Sequence, residues 1–108
     1  MKKWYDALWI GPKAEKKRRK LIDAVKDGKK MPGAYVIALS SNSRELLDII
    51  PVSMIGKPGC PADNLYIIGI ADGKAEAFSL IEKIVDYIYR ETGKLNIREY
   101  FMESRFSV

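Results

Sequence analysis

Apolar positions along this chain follow two periods, and the changes between them mark out the elements. Residues 4–10 (WYDALWI) are aromatic and branched, and Gly11-Pro12 closes them, which predicts a first strand. Over residues 13–27 the spacing becomes helical, with Ala14, Leu21, Ile22 and Val25 on one side. The aliphatic stem of Arg18 covers the gap between Ala14 and Ile22. Gly28 is the expected C-cap, and a loop runs from Lys29 to Gly33. Residues 34–39 (AYVIAL) are apolar almost without a break, as in a strand buried on both faces.

The next stretch is polar. Ser40-Ser41-Asn42-Ser43 supplies turn residues, and Asn42 with Glu45 resembles a capping box. A short helix over 44–50 is expected, ended by Pro51. Residues 52–55 read as a short strand and 57–64 (KPGCPADN) as an irregular loop. Residues 65–71 (LYIIGIA) give the clearest strand, with Gly69 marking a bulge or a close backbone approach.

Asp72 is the expected N-cap of the longest helix, from residue 73 to about Thr92. Its inner stripe is predicted as Phe78, Ile81, Ile84, Val85 and Ile88. Asp86 and Arg90 stand four apart in the favourable order, and Gly93 caps the end. Asn96 with Glu99 repeats the Asn-x-x-Glu start, predicting a short terminal helix over 97–103, with an edge strand from Leu95 as the competing reading.

The order β-α-β-α-β-β-α-α predicts one α/β domain over residues 1–108, a small α/β sandwich with a mixed four-stranded sheet flanked by helices. The alternative is a ferredoxin-like α+β arrangement with an insertion at 40–64. At 108 residues and 47% hydrophobic content, one modest core is affordable to the chain. The opening MKKWYDALWIG differs from a secretory signal, because Asp6 breaks its apolar run and Gly11-Pro12 ends it early. No apolar stretch reaches the roughly 20 residues of a membrane span, and a cytoplasmic location is the default expectation.

One cysteine and no histidine exclude an internal disulfide, Cys/His zinc sites and His-dependent triads within the chain. Neither Gly-rich phosphate loop occurs, and no cofactor motif or metal-ligand set is recognisable. A histidine-free enzyme would have to use Asp63 or Asp72 with a metal, or Cys60 as nucleophile beside Lys57. Small packed or capping roles explain these residues more economically.

Charge is uneven. Residues 1–30 hold eleven basic and four acidic residues, a net of +7, while the other 78 carry a net of −2. The densest run is KAEKKRRK at 13–20, so Lys16, Lys17, Arg18, Arg19 and Lys20 form a candidate nucleic-acid surface. The competing reading is a solvated helix face, since the run lacks an interleaved aromatic for base stacking.

The leading expectation is a non-enzymatic binding or regulatory module for a small anionic ligand. Three polar turns each follow a predicted strand and open a predicted helix. If the strands lie parallel, these turns meet at one sheet edge, where open α/β sheets hold ligands. The expected ligand-binding residues are Lys13, Ser40, Ser41, Asn42, Ser43, Asp72, Gly73 and Lys74, using unpaired helix-start N–H groups, hydroxyls and lysines. Helix capping alone also accounts for them. The aromatic tail (Tyr100, Phe101, Met102, Phe106) is a candidate homodimer patch, unless it folds back over its own sheet.

Overall fold

The computed structural model describes residues 3–40, 47–55, 65–94, 97 and 99–101. Four strands, β1 (Lys3–Ile10), β2 (Ala34–Ser40), β3 (Asp48–Pro51) and β4 (Leu65–Asp72), form one mixed sheet in the order β1-β4-β2-β3. β1 runs parallel to β4, whereas β2 runs antiparallel to both β4 and β3. Helices α1 (Pro12–Glu15) and α2 (Arg18–Asp27) serve one face, and α3 (Lys74–Thr92) serves the other. The mixed four-stranded sheet flanked by helices is therefore the architecture. A ferredoxin-like arrangement does not occur, because the helices lie on both sides of the sheet and the first strand is at its edge.

Alternation along the strands divides the core in two. Val36, Ala38, Leu65, Ile67 and Ile70 pack with Ala14, Leu21, Ala24 and Val25. Ile37, Leu39, Tyr66, Ile68 and Ala71 pack with Ala77, Leu80, Ile84 and Ile88. β2 and β4 carry apolar residues at both parities because a helix covers each face.

In β4 the alternation slips at Ile68. Ile37 pairs with Gly69 and Ala38 with Ile67, so Ile68 is an inserted bulge residue. A Cβ on Gly69 would sit 2.9 Å from the Trp9 carbonyl oxygen and 3.3 Å from Leu80 Cδ2. The sequence offered a bulge or a close approach at this glycine, and both are present. β1 is irregular in the same region, since Trp4 pairs with Ile67 and Trp9 already with Gly69. The extra β1 residues leave Asp6 and Ala7 exposed, a charge and a distortion that discourage edge-to-edge pairing.

Several expected boundaries move. The helix read over 13–27 breaks at Lys16–Lys17, where Lys17 adopts φ −121° and ψ 21°. Residues 48–50, read as the end of a helix closed by Pro51, lie in β3 instead, because Ile49 and Ile50 gain ladder bonds beside β2. The next stretch, read as a strand, is a 3-10 turn (Val52–Met54) that buries Val52. Residues 44–46 and 57–64 lie outside the described residues. Gly28 and Gly93 end α2 and α3 with φ of 71° and 73°, as their sequence positions indicated.

The apolar stripe of α3 is rotated from its expected position. Ala77, Leu80, Ile84 and Ile88 are buried, Ile81 and Val85 are half-buried, and Phe78 is 52% exposed. Both registers are apolar in sequence, so only the fit against the sheet chooses between them. Ile97 and Glu99–Phe101 are helical, and Ile97 and Phe101 are fully buried in the α3-side core. The chain thus folds back onto its own sheet at Ile97 and Phe101. Met102 and Phe106 lie outside the described residues.

Candidate functional site

Strand direction decides which of the predicted site residues meet. β1 and β4 are parallel, so Gly11–Lys13 and Asp72–Lys74 share one edge of the sheet. Gly11 N–H donates to the Ile70 carbonyl at 3.1 Å. β2 runs the other way, pairing Ser40 with Leu65 and Ala34 with Asp72. Ser40 therefore ends its strand at the opposite edge, and the expected convergence of three turns is corrected to two. Ser41, Asn42 and Ser43 lie outside the described residues. The segment that joins the Gly11 and Asp72 corner is the loop entering β2. There the Gly73 N–H donates to the Gly33 carbonyl at 2.7 Å.

The corner already contains an anion, supplied by α3. The Glu76 carboxylate accepts the Lys13 N–H at 2.8 Å, the Ala14 N–H at 3.0 Å and the Asp72 N–H at 3.0 Å. Two of these donors belong to the first turn of α1, whose helix-start N–H groups have no intrahelical partner. Glu76 thus holds the two parallel strand ends together through their following segments. A soluble anion at these donors would have to displace it. Gly11 makes the arrangement possible, because a Cβ there would collide with the Glu76 carboxylate. Glu76 was missed in the sequence, although a glutamate in the first turn of a helix is a recognised capping signal.

Asp72 serves this corner differently from its expected role. The N-cap of α3 is Gly73, with no side-chain capping bond. The Asp72 carboxylate instead faces Lys17 Nζ at 3.4 Å, tying the end of β4 to the α1–α2 break. Such a half-exposed pair contributes at most about 1 kcal/mol. Lys74 is exposed in the first turn of α3. Lys13 keeps an exposed side chain while its backbone is held by Glu76.

The basic run forms the outer surface of α1, the break and the start of α2. Residues 15–20 are all exposed, whereas Ala14 and Leu21 on either side are buried. Lys17 pairs with Asp72, and Arg18 with Glu15 at 3.4 Å. Among the described residues, no carboxylate lies within ion-pair distance of Lys13, Lys16, Arg19 or Lys20. The first turn of α2 contains no acid, and Lys17 makes no side-chain cap. Cations there oppose the helix dipole by about 0.3–1 kcal/mol each, a cost that a bound anion relieves. Asp23 and Asp27 lie farther along α2, so within that helix acidic side chains occur only beyond its first turn.

The far face of the molecule has different chemistry. Phe78 and Tyr89 are 52% and 54% exposed, with half-buried Ile81 and Val85 between them. A cleft of about 510 Å³ is lined by Ile81, Glu82, Val85, Asp86 and Tyr89. Asp86 is engaged by Arg90 at 3.1 Å, the pair read from the sequence. Beside α3, Trp9, Tyr87, Tyr100, Phe101 and Tyr5 form a chain of edge-to-face rings with centroids 4.9–6.5 Å apart. Burial, reinforced by Tyr5 and Tyr87, pushes the Tyr100 hydroxyl up to about 12.

Cys60 and Asp63, the remaining candidates for catalysis, lie outside the described residues. Among the described residues, no three Asp, Glu, Cys or His side chains stand together as a metal site. No described helix is long and apolar enough to cross a membrane. Comparison with known proteins gives no matching family model, no matching curated relative and no matching solved structure.

Proposed function

We propose that this chain is a non-enzymatic binding module whose working surface is the basic shoulder formed by α1, the Lys16–Lys17 break and the first turn of α2. Its partner is anionic and carries several negative charges. One observation supports this reading most directly: Lys13, Lys16, Arg19 and Lys20 are exposed on adjoining helical segments, with no carboxylate of the described residues in ion-pair range.

The partner class follows from the arrangement of donors. At the strand-end corner, the Lys13, Ala14 and Asp72 N–H groups are already engaged by Glu76. That removes the donors which made a small anion attractive there. The cations that remain line the outside of a helical segment, so a partner with repeated charge can engage several of them at once.

The test is titration of isotope-labelled protein with polyphosphate at low salt, followed by amide chemical shifts. Changes should concentrate at residues 13–20. Shifts at Asp72–Lys74 with none at 16–20 would return the site to the strand-end corner. Shifts in neither region would remove the reading.

A further inference from the structure

Resting on that reading, we infer that the anionic partner is a nucleic acid, bound through its phosphate backbone without regard to base sequence. A nucleic-acid strand places a phosphate about every 3.4 Å along its axis. Lys13 on α1, Lys16 at its C-terminal end, and Arg19 and Lys20 in the first turn of α2 are exposed without an ion-pair partner among the described residues, so four cations are free to meet four phosphates of one strand. The guanidinium of Arg19 suits a phosphate better than an ammonium does, because it presents a planar fork of donors.

One further feature separates this partner from an anionic membrane, and another sets how it is bound. Anionic membranes are held most firmly by basic helices that also insert apolar side chains. Here Ala14 and Leu21 are buried, and every residue from 15 to 20 is charged and exposed. Aromatic stacking on bases is also missing from this surface. Residues 13–20 contain no aromatic side chain, and Trp4, whose ring centre lies 5.8 Å from the Lys26 ammonium farther along α2, is half-buried. The contacts on offer are phosphate contacts, which position a strand but do not read it.

The experiment is fluorescence anisotropy with a short labelled single strand and the duplex of the same sequence, across salt. Four phosphate contacts give a slope of log K against log salt of about −2.8 for the single strand and about −3.6 for the duplex. Affinity should therefore fall about 50- to 150-fold between about 50 and about 200 mM salt. A scrambled sequence should bind equally.

The combined variant Lys16→Gln/Arg19→Gln/Lys20→Gln should flatten the slope to about −1. The control Lys29→Gln/Lys83→Gln/Lys94→Gln removes the same charge elsewhere and should leave it near the original value. Equal losses in both variants would overturn the assignment to this surface. Tighter capture by phosphatidylserine vesicles than by either nucleic acid would overturn the choice of partner. If polyphosphate binds at residues 13–20 and nucleic acid does not, this inference fails while the broader reading stands. If no polyanion binds at low salt, both fail.

Discussion

Gly11 leaves empty the space that the Glu76 carboxylate fills. The glycine ends β1, the glutamate belongs to the first turn of α3, and 65 positions separate them in the chain. Through this contact, one side chain accepts three backbone N–H groups and joins the ends of two parallel strands.

Gly11→Ala should lower stability by about 1–3 kcal/mol, because the new methyl group drives Glu76 from its donors. The backbone at residue 11 has φ −68° and ψ 157°, which alanine adopts freely, so the effect is one of space. Glu76→Ala should cost a similar amount. The double variant should be less destabilised than the sum by about 0.5–3 kcal/mol, since Gly11→Ala displaces nothing once Glu76 is truncated. Urea denaturation of the four proteins tests this, and strict additivity would contradict the contact.

Gly69→Ala addresses the bulge. Its methyl group would meet the Trp9 carbonyl, which is main chain and cannot swing aside as a side chain can. A loss of about 1–3 kcal/mol is expected. Because the β1–β4 ladder must part to admit the methyl, amide exchange should also accelerate at Trp9 and Ile10. A neutral effect on both would contradict the packing described.

The two apolar stripes of α3 should separate cleanly by mutation. Ile84→Ala removes a fully buried side chain and should cost about 2–5 kcal/mol. Phe78→Ser and Tyr89→Ser act on half-exposed side chains and should each cost less than about 1 kcal/mol. Thermal melts of the three variants give the comparison, and a large loss for Phe78→Ser would restore the stripe expected from sequence.

Tyr100 gives the fold an alkaline limit. Its folded-state value of about 12 lies above the ordinary 10.0, so the folded chain holds this proton more tightly. The resulting stability is fully present below about pH 10 and is lost as pH rises toward about 12. Tyr100→Phe should shrink this alkaline decline, measured as urea stability against pH. A decline of equal size in the variant would assign it to other groups.

Local elements were legible in the residues wherever short-range chemistry was decisive. The unbroken apolar run of β2 announced coverage of the sheet on both faces, Gly28 and Gly93 marked the helix ends, and Asp86 found Arg90 one turn away. The sequence also located the basic run of residues 13–20.

Direction, rotation and long-range contact emerged only once the chain was folded. Composition does not encode whether β2 runs with or against β4, yet that choice sent Ser40 to the far edge and brought the Gly33 loop to the near one. Nor does an apolar pattern choose between adjacent stripes of α3 when both are apolar, because packing against the sheet sets the rotation. β3 is a strand because β2 offers it ladder partners, against the short-range signals for a helix. Glu76 meets Gly11 only because parallel β1 and β4 end side by side, and energies of that kind depend on where separate segments arrive rather than on the residues next to each in the chain.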